Sequence, residues 1–126
     1  MIIAILIILF VHWVADFVLQ TEWQATNKSK NNEALLHHTL TYSLCWLVLG
    51  GLVRIATYGQ LSPWAVLTFV GITFVCHTVT DYITSRINAE LWEKKRVHDF
   101  FVSVGFDQFL HFCQLLLTYW LVIKLK

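Results

Sequence analysis

A single proline, Pro63, and five glycines serve all 126 residues. That scarcity excludes a β-rich or linker-rich architecture, which needs turn residues at short intervals. Charge is scarce too: 13% of residues are charged, against about 25% in soluble domains. No basic tract is present and the formal net charge is +1, so nothing points to a nucleic-acid partner. Cysteine is limited to Cys45, Cys76 and Cys113. An odd count inside apolar segments excludes a disulfide framework and reads as small packing residues. Cys76, beside His77, has a second reading as a soft metal ligand.

What fills the chain instead is apolar. Hydrophobic residues make up 57%, and the mean hydropathy is +0.62; this is a membrane-type composition. Four apolar segments, at about 2–20, 34–52, 64–83 and 100–123, each approach the ~20 residues that cross about 30 Å of hydrocarbon. The expected fold is all-α: one integral membrane domain, residues 1–126, built as a four-transmembrane-helix bundle. Ile2 to Val11 lacks a positive leader region and a small-residue cleavage site, so it reads as a retained first membrane helix rather than a secretion signal.

Between the segments, Thr21 to Glu33 is polar. The second segment is expected to end at Gly50-Gly51. Tyr58 to Pro63 reads as a turn, with Ser62 a candidate cap and Pro63 at the first helical position. The last connection carries Arg86, Glu90, Glu93, Lys94, Lys95 and Arg96, with Ile87, Leu91 and Trp92 spaced for a short amphipathic helix on the membrane surface. With four crossings, the first and third connections share a side and hold six of the nine basic residues, including Lys28 and Lys30. Arg54, Lys124 and Lys126 fall on the other side. The positive-inside rule then puts both polar connections in the cytoplasm and both termini outside, in a bacterial inner membrane. Trp23, Trp64, Trp92 and Trp120 lie near segment ends, as interfacial anchors do.

Against this background a few ionisable groups stand out. His12-x3-Asp16, His77-x3-Asp81 and Asp107-x3-His111 lie in segments one, three and four, and His37-His38 opens segment two. The topology puts all of them in one leaflet. In every pair the carboxylate falls nearer the mouth and the imidazole one turn, ~6 Å, deeper. Residues four apart share a helix face, so each pair can point into the bundle. Each Asp would cost ~2.5–3.5 kcal/mol at mid-helix, and no Lys or Arg lies inside the spans to balance it. Protonation, imidazolium partners or bound cations must do so.

Mixed imidazole and carboxylate ligands suit Zn, Mn or Fe. His12, Asp16, His38, His77, Asp81, Asp107 and His111 are the expected ligands of one or two divalent ions. Asp16, Asp81 and Asp107 are also the catalytic candidates, since a carboxylate free of metal can act as general base. A single His/Asp pair would equally serve as a helix-packing contact, and a proton or ion path uses the same residue types. Gln20, Gln108 and Gln114 are candidates for hydrogen bonds to ligands or between helices. His98 and Asp99 read as solvated surface.

The motifs His12-x3-Asp16-Phe17-x2-Gln20, Lys28-Ser-Lys30, Leu35-Leu36-x-His38-x3-Tyr42, His77-x3-Asp81 and Asp107-Gln108-x2-His111 resemble a family of small bacterial and phage integral membrane proteins classed as of unknown function. The resemblance spans nearly the whole chain. It favours His38 over His37 as the site residue, leaving His37 a supporting or interfacial role. A weaker kinship, to inner-membrane proteins grouped as metal-dependent hydrolases, implies that chemistry only by analogy.

The leading expectation is a membrane-embedded, metal-dependent hydrolase acting on a lipid, lipid-linked or phosphoester substrate from the cytoplasmic side. A transporter or channel is the first rival, though the outer halves of the segments are almost wholly apolar; a path at a homo-oligomer interface would avoid them. A non-catalytic membrane partner module, with metal as a structural staple, is the second.

Overall fold

Polar caps and one proline set the helix boundaries. In the computed structural model, which describes residues 2–124, α1 spans Ile2–Trp13 and runs straight into a π-helical turn, Val14–Val18. Lys126, counted above among the outer basic residues, lies outside the described residues. Thr21 then caps α2 (Glu22–Asn27) through a capping box: its hydroxyl accepts from the Gln24 amide N–H while the Gln24 side chain accepts from the Thr21 N–H. Asn31 Oδ1 accepts from Glu33 N at 2.7 Å and starts α3 (Asn32–Ala56). Pro63 is the first residue of α4 (Pro63–Glu93), as expected, although the Ser62 side chain makes no capping bond. Val97–Val122 forms α5. No strand occurs among the described residues.

The long α4, 31 residues, is the centre of the bundle. It packs along both α3 and α5, while α1 touches α5 and the π turn rests on α3.

Two expected boundaries move. The second segment does not stop at Gly50-Gly51; α3 continues to Ala56. Gly in a helix costs about 1 kcal/mol, and packing offsets it here. A Cβ on Gly50 would stand 2.6 Å from Val66 Cγ1, so the glycine brings α3 and α4 together instead of ending a helix. The expected separate surface helix after the third segment is also absent: Ile87, Leu91 and Trp92 belong to α4 itself. No Gly or Pro occurs from Ile72 to Arg96, so nothing breaks the helix until Lys95, whose φ is +56°.

The interior is more polar than the exterior. Among the described residues, thirteen buried side chains are polar or charged and nine are apolar, while Ile3, Phe10, Leu44, Val75, Phe106 and Leu117 are among the many large apolar side chains that face outward. So many outward apolar side chains are unusual on a soluble monomer. By length and composition α3, α4 and α5 can each cross a membrane; Ile2–Val18 is a shorter apolar helix. Trp23, Trp64, Trp92 and Trp120 are exposed, whereas Trp46 is buried with Ile8, Ala15, Tyr42 and Leu115.

Candidate metal centre

Six of the seven expected ligands meet in the middle of the bundle. Asp16 comes from the π turn, His38 from α3, His77 and Asp81 from α4, and Asp107 and His111 from α5. They form two groups, Asp16/His38/His77/Asp81 and Asp81/Asp107/His111, all buried. In each group one ligand atom per residue lies within 4.8 Å of every other.

The first group is close to a tetrahedron. His38 Nε2 stands 3.1 Å from Asp16 Oδ1, 3.2 Å from Asp81 Oδ2 and 3.2 Å from His77 Nε2. His77 Nε2 stands 3.5 Å from Asp16 Oδ1 and 3.8 Å from Asp81 Oδ2. A tetrahedral ion with bonds of 2.0–2.1 Å requires ligand–ligand edges of about 3.3 Å. These five edges bracket that value and the sixth, between Asp16 and Asp81, lies within 4.8 Å, so the residues could hold a metal ion. Two ring nitrogens facing each other at 3.2 Å also cannot both carry a proton in that gap. The Gln20 amide nitrogen lies 3.0 Å from His38 Nδ1. With Nε2 given to a metal, the His38 proton would sit on Nδ1, where the Gln20 side chain, with its amide oxygen turned inward, would accept it.

Asp81 joins the two groups. Its Oδ2 faces His38 and His77, while its Oδ1 lies 3.1 Å from His111 Nε2. His111 Nε2 is also 3.4 Å from Asp107 Oδ1, which accepts from Thr84 Oγ1 at 2.6 Å. A carboxylate that turns one oxygen to each of two neighbouring sites is the bridge expected in a two-metal centre with ions ~3.5–4 Å apart. With three protein ligands, the second group leaves a position open.

His12 is the exception. It belongs to neither group among the described residues, and it approaches Asp16 Oδ2 only to 3.7 Å. Its two ring nitrogens are engaged elsewhere, by Gln108 and Tyr42. The π turn that follows, with its i→i+5 bond from Leu19 N to Val14 O at 2.9 Å, carries Asp16, whose Oδ1 faces His38 and His77.

His12 instead supports the centre through a directed chain. Gln108 faces two carboxylates, Asp16 Oδ2 at 3.2 Å and Asp107 Oδ2 at 3.0 Å, so its amide nitrogen donates to both. Its Oε1 then accepts from His12 Nε2 at 2.9 Å, and His12 Nδ1 accepts from Tyr42 Oη at 2.7 Å. One amide thus fixes a ligand of each group. Gln108→Leu should weaken metal binding by roughly 10–100-fold, the usual cost of losing an outer hydrogen-bond partner, while the full metal complement returns at saturating ion; a metal titration checks this.

One expectation about charge is overturned. The sequence offered no Lys or Arg inside the spans, but Lys28 reaches in from outside them. It donates from Nζ to Asp81 Oδ2 at 2.8 Å and lies 3.5 Å from His38 Nε2. It follows α2 directly, so the capping box at Thr21 and Gln24 orients the helix that carries it. That Thr-x-x-Gln signal was in the sequence and could have shown that the polar connection is ordered, not loose. Burial works against the Lys28 ammonium, but the Asp81 and Asp16 carboxylates outweigh it and raise its pKa above the ordinary lysine value. On the alkaline side, therefore, its pairing is fully present below ~10.4 and fades as pH rises through the raised pKa. One ammonium against three carboxylates leaves two negative charges for imidazolium or metal to meet.

The remaining candidates fall elsewhere. His37 is exposed beside Glu33 and Trp23, while His38 is fully buried. Gln114 donates to Thr73 and Thr118, away from both groups. Cys76 joins neither group. Asp99 pairs with Arg96 at the surface and His98 is exposed.

Fold and site together define an all-helical, outwardly apolar bundle whose buried His/Asp clusters can hold a metal ion. The chain belongs to the family described as a protein of unknown function (DUF3307), whose model matches residues 3–126. That agrees with the unknown-function family expected from the motifs and carries no statement about membranes or hydrolysis. No curated protein and no solved structure matches the chain.

Proposed function

We propose that the chain is a membrane-embedded, metal-dependent hydrolase that acts from the cytoplasmic side on a lipid or phosphoester substrate. The observation that carries this is Asp81, one carboxylate shared between two buried ligand groups. Structural metal sites are closed; an open position beside a bridged pair suits catalysis. In this reading the bundle makes four crossings of a bacterial inner membrane, with the α2 region and the α4–α5 turn in the cytoplasm and both termini outside. Support comes from the basic residues at that end and from the outward apolar side chains, which lipid would cover.

A bound divalent ion would supply Lewis acidity and lower the pKa of its water towards ~7. The chain's own groups do the rest. Asp107 is the most exposed of the three carboxylates; with Oδ1 turned to His111, its Oδ2 is the oxygen best placed to take a proton, once the Gln108 N–H that it accepts has moved off. Tyr42 stacks on His77, with ring centroids 3.8 Å apart and planes at 12°, and locks that ring in place. A transporter is disfavoured by the other end of the bundle, where Ile8, Trp46, Phe69, Tyr119 and Val122 line a cavity of about 370 Å³ that is predominantly apolar.

The test is elemental analysis of detergent-purified protein, prepared without chelator from metal-supplemented growth, beside an Asp16→Asn/Asp81→Asn/Asp107→Asn variant. One or two ions per chain are expected in the wild type and none in the variant. A metal-free wild type sinks the hydrolase reading.

A further inference from the structure

Among the described residues, Lys28 is the one lysine or arginine paired with a carboxylate of the centre, and a metal site has no evident need of it. We infer that Lys28 binds the anionic group of the substrate, and that this group is the dianionic phosphate of a phosphomonoester. The inference rests on the two-metal hydrolase reading above.

Position comes first. The Lys28 side chain is 19% exposed and that of Asp81 3%, so the ammonium stands between a buried carboxylate and the surroundings. The ammonium is also held in place. The capping box fixes α2, Lys30 pairs with Glu93 at 3.5 Å, and Arg86 donates to Asn32 Oδ1 at 2.8 Å. These contacts tie the α2–α3 connection to the end of α4. Lysine is a point-charge binder of phosphate, needing no fixed fork geometry.

Charge then selects the substrate. Two divalent ions and Lys28 bring five positive charges; Asp16, Asp81 and Asp107 bring three negative ones. With the bound water still neutral, two positive charges are left over in a buried site, where uncompensated charge is expensive. A neutral carboxylic ester or amide leaves that excess standing. A phosphomonoester, at about −1.5 to −2 near pH 7, cancels it. With both oxygens of Asp81 turned to metals, the ammonium is free to pair with the phosphate instead.

The experiment measures metal content and phosphate affinity on the same metal-loaded, detergent-solubilised samples, with inorganic phosphate and dihexanoyl phosphatidic acid as probes. Lys28→Gln keeps a hydrogen-bond donor beside Asp81, so it should retain both ions while binding phosphate about 10–100-fold more weakly, the worth of one charge-assisted bond. Tighter binding of the phosphatidic acid assigns the phosphate to a lipid headgroup, and tighter inorganic phosphate assigns it to a soluble ester. In the wild type, phosphate should also protect Lys28 from amine acetylation read by mass spectrometry, which needs no variant to fold. Wild type with two ions and no phosphate affinity, no protection of Lys28, or unchanged affinity in metal-loaded Lys28→Gln overturns the inference and leaves the metal reading standing. A metal-free wild type overturns both, and is told apart by the metal count.

Discussion

Asp81→Asn should disable both halves of the centre at once. Its two oxygens serve different groups, Oδ2 beside His38 and His77 and Oδ1 beside His111. An amide keeps the shape but loses the charge and can offer an oxygen to only one side. Affinity for both ions should fall by at least about 100-fold, beyond the 10–100-fold cost of an outer partner. Asp16→Asn and Asp107→Asn touch one group each and should each spare the other ion. Metal titration with counting of bound ions separates these patterns. An Asp81→Asn protein that still holds two ions would mean that the carboxylate is not shared. The same change leaves the Lys28 ammonium without its nearest carboxylate, so some loss of stability should accompany the loss of metal.

The second large effect is on stability itself. Metal bound only by the folded chain adds about 4 kcal/mol when the free ion is 1,000 times Kd. For a chain of this size that corresponds to a shift in Tm on the order of 10 °C. Chelation should therefore lower the melting temperature of the detergent-solubilised protein by about that amount, and returning the ion should restore it. The variant with all three Asp changed to Asn should melt at nearly one temperature with or without chelator, because each group loses its anionic ligands and keeps at most two imidazoles. A wild type indifferent to both chelator and added metal would contradict a metal centre of this kind.

Much of the centre was legible from spacing. Asp and His four apart in apolar helices are costly enough to demand partners, and that argument brought Asp16, His38, His77, Asp81, Asp107 and His111 together correctly. His12 lies buried beside them, 3.7 Å from Asp16, but spacing could not show that Gln108 and Tyr42 engage its ring nitrogens. Periodicity failed at the end of α4. Charged residues suggested a separate surface element, but without Gly or Pro before Lys95 the backbone has no cause to stop. Gly50 misled in the opposite sense, since its missing side chain serves a helix contact rather than a chain reversal. Lys28 was hidden because its segment is polar and short, and only tertiary folding reveals that α2 lays it against α4.

The π turn at Val14–Val18 also sets a register that composition does not record. Such a turn is in effect an α-helix carrying one residue too many. Deleting that residue would rotate everything beyond it by roughly 100° about the helix axis. Asp16 would turn away from His38, and α2, which follows at once, would turn with it. The insertion therefore works as an indexing step: one added residue in an apolar helix aims both the Asp16 carboxylate and, twelve residues later, the Lys28 ammonium that pairs with Asp81.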